Sequence, residues 1–410
     1  LRTVLSGCET GRPAHPMPSV ICSPVTCVTV DGITVVGERI NPTGKKRFQQ
    51  ALRQGDLDYI MEQAVAQSEE GAQLLDINVG APEVDEPALM EQAVRAVQSV
   101  VSQPLQLDSS HVEALARGLR AYNGKPLVNS VNGAPAVLEH ILPLCKKYGA
   151  AVIGLTVDGH GIPATAEGRV AVARRIRDAA LAAGIPAEDI YIDCLALTAS
   201  AQQEDVLVTL EALARCKREL GVRTILGVSN ISFGLPCRGY LNAAFLTLAM
   251  QAGLDLAIID PAGSDEMGAV AAYRVLTNRD RQSAAYIARY QHFTAPAAAA
   301  VQSTPAADSS YDSLIKAVVQ GLKGEAAAAA SALLRTEEPL ALVDGALIPA
   351  LDQVGASYEA GTVFLPQLLQ AASAAQSAFD AIRGALAGKT DAPTDSKGRI
   401  SLATVKGDVH

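Results

Sequence analysis

Eight short β-branched runs, each followed by a longer amphipathic stretch, fill residues 33–259 and leave few folds open. The runs are 33–37, 73–79, 105–108, 127–131, 151–156, 190–194, 224–228 and 256–259. Between them, stretches such as 56–70, 86–101 and 166–183 carry apolar residues at helical spacing. Strict alternation of this kind implies parallel strands joined by crossover helices. Eight units in ~230 residues predict a (β/α)8 TIM barrel over 31–292; a doubly wound open sheet is the alternative, and the count of eight favours closure.

The β rhythm stops at residues 293–310, an Ala/Pro/Ser/Thr stretch that has the composition of a linker. Beyond it, Leu314, Ile315, Val318, Val319 and Leu322 share one helical face, and Gly324 is expected to close that helix. Further helices over 325–335, 339–358 and 365–386 predict an all-α four-helix bundle spanning 311–387. A second polar linker, 388–398, leads to a β-like run at 400–405, the expected first strand (399–410) of a truncated Rossmann-like domain. Residues 1–30 lack a clear period and are expected to be a connector. The chain begins on Leu1 and stops where a strand should meet its loop, so both ends are expected to continue into a longer polypeptide.

A net charge of −9 and the absence of Trp argue against nucleic-acid binding. No run approaches the ~20 apolar residues that cross a bilayer, and no leader segment precedes the barrel, so no membrane is expected. Seven scattered cysteines with no Cys-x-x-Cys pair suggest neither a zinc knuckle nor a disulfide framework, and reduced thiols point to the cytoplasm.

Barrel strands aim their C-terminal residues into one shared mouth. Here those ends read Asp76-Ile77-Asn78, Asp108-Ser109-Ser110, Asn129-Ser130-Val131-Asn132, Asp193-Cys194 and Ser229-Asn230. The set recognises a neutral heterocycle better than it attacks a carbonyl. A pterin fits, because its adjacent N3–H and 2-amino donors pair with a single carboxylate. The competing explanation is that these residues cap the following helices; it weakens when five successive strand ends share the pattern. Cys194 has no basic neighbour in sequence and is expected to be a small buried residue. Lys45, Lys46 and Arg47 are expected to be a solvated charge run, the alternative being contact with an anionic substrate tail.

The segment Gly37-Glu38-Arg39-Ile40-Asn41-Pro42-Thr43-Gly44-Lys45 resembles the first pterin-site loop of the cobalamin-dependent methionine synthases, and the resemblance continues through the strand ends above. It covers a folate-binding barrel, a cobalamin cap and the start of a cobalamin domain. The resemblance implies transfer of the N5-methyl group of 5-methyltetrahydrofolate to cob(I)alamin. It places Asp193 on the pterin N3 and 2-amino group, Asp108 and Asn129 on other ring nitrogens, and Asn41, Asp76, Asn78 and Arg238 in the same site. Asn230 would sit near N5 as the catalytic amide. Phe364 and Leu368 would cover the upper face of cobalamin (methylcobalamin once charged). Asp408-Val409-His410 resembles the first half of Asp-x-His-x-x-Gly, in which the His binds cobalt and the Asp holds it from behind.

By the same resemblance, zinc belongs only to a preceding homocysteine domain, and the partners are that homocysteine module and the complete cobalamin domain. With only the first strand of the latter present, cobalamin is expected to bind weakly and His410 to be mobile. A methyltetrahydrofolate–corrinoid protein methyltransferase, a dihydropteroate synthase and a non-catalytic corrinoid carrier are the rival readings. The acidic run Asp260–Glu266 counts against the second, which needs a basic diphosphate pocket.

Overall fold

The structure, a computed structural model, describes residues 18–290, 311–360, 363 and 365–387. It comprises two compact units, Leu1–Ala297 and Ala298–His410. Of the sequence expectations, residues 1–17, both linkers, Phe364 and the terminal strand with Asp408 and His410 lie outside the described residues.

The first unit opens with a two-stranded antiparallel hairpin, β1 (Val20–Cys22) and β2 (Cys27–Thr29). Eight parallel strands follow: β3 (Thr34–Ile40), β4 (Leu74–Asn78), β5 (Leu105–Asp108), β6 (Leu127–Asn132), β7 (Ala151–Leu155), β8 (Ile190–Asp193), β9 (Arg223–Gly227) and β10 (Leu256–Ile259). They close into a barrel in sequence order, with β10 beside β3. The TIM-barrel expectation is met, and the open-sheet alternative is not.

Residues 18–30 correct the connector expectation. Ile21 and Val30 are 0% and 1% exposed, packed with Val36, Leu74, Leu127, Ala151, Tyr191, Ile225 and Leu256 at the N-terminal end of the barrel. Cys22 exchanges backbone hydrogen bonds with Lys125 (3.0 and 2.9 Å), and the Tyr122 hydroxyl donates to the Cys22 carbonyl (2.8 Å). The hairpin therefore plugs the barrel floor.

Side chains alternate in and out along each strand, and the inward rows change character with height. At the floor they are apolar: Val36, Leu74, Leu127, Ile153, Tyr191 and Ile225. Two residues further along the same rows come Glu38, Asp76, Asn129, Asp193 and Gly227. A dry floor thus supports a polar upper layer. β3 reaches that layer through a bulge between Gly37 and Ile40. Buried Gln67 holds it, its Oε1 accepting from the Arg39 amide at 2.8 Å. A Cβ at Gly37 would lie 2.5 Å from that oxygen, so the bulge depends on glycine.

The second unit contains helices Asp312–Val319, Lys323–Leu333, Pro339–Glu359 (with a π-turn at Val343–Leu347) and Leu365–Ala387. Alanine supplies much of its core: Ala326, Ala330, Ala346, Ala350, Ala374 and Ala378 are each fully buried. Alanine favours the helix and lets helices approach closely. The 21-residue helix Pro339–Glu359 is long and apolar enough, by length and composition, to cross a membrane. Here Leu342, Ala346, Ala350 and Val354 turn inward, and Asp344 and Asp352 break up the helix's apolar sequence. The first helix ends earlier than the sequence suggested. Gly321 (φ +72°) terminates it, its amide bonded to Val318 O at 2.9 Å, while Gly324 lies inside the next helix.

Candidate functional site

The strand ends bring Asp76, Asn78, Asp108, Asn129 and Asp193 together at the C-terminal mouth. None of these caps a helix. Caps come from other residues: Asp85 accepts from Ala88 N (3.1 Å), Thr165 from Gly168 N (3.1 Å) and His111 from Ala114 N (3.4 Å).

Asp193 ends β8, is buried, and has one carboxylate oxygen held by the Leu195 amide at 2.7 Å. Burial pushes its pKa from 3.8 up to about 6, against the opposing pull of the Leu195 and Gly227 amides and the Arg169 guanidinium. It is therefore mostly ionised at neutral pH. The Thr156 hydroxyl, buried just past the end of the adjoining strand, has no hydrogen-bond partner among the described residues. Cys194 is fully buried against Cys216 (Sγ–Sγ 3.9 Å), and that contact together with burial pushes its thiol up. It is no nucleophile.

Asp76 is buried in the same polar layer and accepts from Gln106 Nε2 at 2.6 Å. Burial, then the nearby Asp108 carboxylate, raise it well above the ordinary carboxylate range. Asn78 Nδ2 donates to Asp108 Oδ2 at 3.0 Å, while Asn78 Oδ1 accepts from Gly80 N at 2.9 Å. Asn78 therefore helps to aim Asp108. Asn41 accepts from Thr43 N at 3.0 Å and so shapes its own loop. Asn129 sits half-buried on β6, where the Ser109 amide donates to its carbonyl at 2.9 Å.

Asn230 is exposed on the short turn Val228–Ser232 that follows β9. Its Nδ2 would lie 3.2 Å from a Cβ at Gly227, so the amide folds back over the last residue of that strand. Arg238 secures the turn, donating to Ser232 Oγ (2.9 Å) and to Ser229 O (2.7 Å).

Sequence reasoning missed Glu38 as a site residue. Ser229 Oγ donates to Glu38 Oε1 at 2.6 Å, linking β3 to the Asn230 turn. Burial raises the Glu38 carboxyl; Ser229, Lys45 and Arg238 pull it back, and Asp260 pushes it further up. The available signal was parity, since Glu38 lies two residues beyond inward Val36. Lys45, Lys46 and Arg47 are all exposed, in keeping with a solvated charge run, and the Lys45 Nζ also donates to the carbonyls of Glu38 (3.2 Å) and Arg39 (3.1 Å). Arg47 stacks over the Tyr59 ring at 4.6 Å.

In the helical unit, Leu368 is half-buried and Leu369 is 49% exposed. Ile348, Leu351 and Tyr358 are exposed along one side of the preceding helix. The described residues thus present an acceptor-lined mouth with an amide at its rim and, separately, an apolar helical face.

Residues 37–260 match the family model described as pterin binding enzyme, and residues 311–383 match one described as a B12 binding domain. A methionine synthase of Mycobacterium leprae (strain TN) is 30% identical over 423 residues, covering 97% of this chain. The chain spans only 35% of that protein's length. A methylcorrinoid:tetrahydrofolate methyltransferase of Eubacterium limosum is 32% identical over 256 residues, 60% of this chain and 92% of that one. In fold, the chain resembles a Yersinia pestis dihydropteroate synthase (TM-score 0.50, 15% identity, 64% of this chain and 100% of that one).

Proposed function

The chain belongs to the pterin-binding enzyme family, and on that footing we propose that it moves the N5-methyl group of 5-methyltetrahydrofolate to a corrinoid cobalt, as the folate- and cobalamin-handling part of a methionine synthase. The observation that carries this reading is Asp193, a buried carboxylate at the C-terminal end of β8, in the mouth of the barrel. The Leu195 amide fixes one oxygen, the Gly227 amide also meets the carboxylate, and its remaining acceptor positions would take the paired N3–H and 2-amino donors of a pterin. Asp108, aimed by Asn78, and Asn129 serve the remaining ring nitrogens. Asp76, held by Gln106, belongs to the same polar layer. The B12-binding match in the same chain selects methyl transfer among the chemistries that use a pterin site.

N5 is a poor leaving group unless it gains a hydrogen bond or proton as the carbon–nitrogen bond breaks. Asn230 answers that need, since a primary amide can donate or accept by rotating. It stabilises charge that changes at N5 and does not itself titrate. Arg238 and the Ser229–Glu38 pair hold its turn still.

Cobalamin, when bound, supplies the cobalt centre that accepts the methyl group. The helical unit suits it: Ile348, Leu351, Tyr358 and Leu369 are large apolar side chains left exposed, a surface of the kind a corrin ring covers. Leu368 and Phe364 would shield the cofactor, and His410, steadied by Asp408, would bind the cobalt. A second reading runs the transfer the other way, toward tetrahydrofolate; the Eubacterium limosum relative favours it, because its match takes in almost the whole of that enzyme. Calorimetric titration of the chain with 5-methyltetrahydrofolate tests the shared premise. Saturable binding is expected. A folded chain that gives no response would remove both readings.

A further inference from the structure

Among the described residues the largest fully buried side chain is charged: Arg169, 0% exposed, on helix Ala166–Ala182. Its guanidinium joins three segments around the barrel mouth. Nε donates to Pro163 O (3.0 Å) in the loop after β7. Nη1 donates to Cys194 O (2.9 Å) and Leu195 O (3.0 Å) after β8, and to Thr209 Oγ1 (2.8 Å). Nη2 meets Asp205 Oδ1 at 2.5 Å. Leu195 is held with φ +61°, a left-handed conformation that a leucine rarely adopts. Its carbonyl is pinned by Arg169 and by the Thr209 hydroxyl (3.1 Å), while its amide donates to Asp193.

We infer that Arg169 is a positioning residue of the pterin site: it holds the strained Leu195 peptide so that the amide keeps the Asp193 carboxylate aimed into the mouth. A helix surface would not bury a guanidinium with five hydrogen bonds for packing alone, because isolating a charge from water is costly unless every donor is used. The fork geometry matters, since it grips two successive carbonyls at once. Arg169 also faces Asp193 electrostatically. The other groups around that carboxylate are the Leu195 and Gly227 amides and the Cys194 thiol.

The inference rests on the pterin reading for its consequence, and its test separates the two. Asp193 is titrated by the 13C shift of its carboxyl in the ligand-free chain, and 5-methyltetrahydrofolate binding is measured on the same variants. Arg169→Gln should raise the Asp193 midpoint and weaken binding about tenfold or more, the scale for a lost charged hydrogen bond. Arg169→Lys, which keeps the charge without the fork, should leave the midpoint nearer wild type but still weaken binding. Thr209→Val, a milder change should the arginine variants not fold, should weaken binding severalfold with the midpoint unmoved. Folded variants with unchanged affinity and an unchanged Asp193 midpoint would overturn the inference. If the unaltered chain binds no folate, the pterin reading fails, and the ligand-free midpoint alone decides the role of Arg169.

Discussion

Replacing Asp193 by Asn should strengthen the fold and weaken the site, two effects of opposite sign from one atom. In the folded chain burial lifts this carboxyl from 3.8 to about 6. A folded pKa above the unfolded one means that stability is lost as pH rises from about 4 to about 6, then stays level. Two units correspond to about 3 kcal/mol of cost at neutral pH, an upper figure for a single group. Asn carries no charge, keeps an oxygen for the Leu195 amide, and so should recover about 1–3 kcal/mol, a few degrees in Tm. The same change turns an acceptor toward the pterin donors into an NH2 group. Losing a charge-assisted pair in a buried site costs about 2–4 kcal/mol, or roughly 30- to 1000-fold in Kd for 5-methyltetrahydrofolate. Thermal unfolding at pH 5 and pH 7.5, with calorimetry on the same samples, reads both. Unchanged folate affinity would remove Asp193 from the site. A lowered Tm at pH 7.5 would refute the claim that its charge is held at a cost.

Asn230→Ala should slow methyl transfer about 10²–10³-fold while leaving folate affinity nearly unchanged; equal losses in rate and binding would make Asn230 an ordinary contact. Ile21→Ala should lower barrel stability by about 2–5 kcal/mol in urea unfolding, because Ile21 is fully buried in the floor plug; an unchanged midpoint would show that the hairpin contributes nothing to the core. Asp76→Asn should flatten the pH dependence of stability above pH 4, since burial and Asp108 raise the Asp76 carboxyl and its ionisation opposes folding; an unaltered pH profile would contradict that electrostatic reading.

The barrel was legible because parallel strands covered on both faces need nearly continuous β-branched runs, and eight such runs are hard to misread. Polar strand ends were legible for a related reason: Asp76, Asp108 and Asp193 interrupt runs that burial should keep apolar. What escaped depends on contacts distant in sequence. The floor hairpin has three-residue strands, too short to show a period, and its burial comes from barrel residues far along the chain. Glu38 was hidden because the β3 bulge that delivers it is set by Gln67, from another element. Arg169 shares its helix with Arg174, Arg175 and Arg177, all partly exposed, and nothing in the local pattern separates the buried one. Asn78 and Asn41 were expected to bind the pterin; the bonds they make within the chain, Asn78 to Asp108 and the Thr43 amide to Asn41, depend on local geometry that the sequence does not display.

The most direct test of the central claim follows the methyl group itself. The chain is mixed with 5-methyltetrahydrofolate labelled with 13C at the N5-methyl and with added cob(I)alamin, and the label is tracked by NMR. The account predicts that label moves to the corrinoid at a rate that rises to saturation with folate and collapses in Asp193→Asn and Asn230→Ala. Label that stays on N5 at the uncatalysed rate, in a chain shown to be folded and to bind folate, would contradict it.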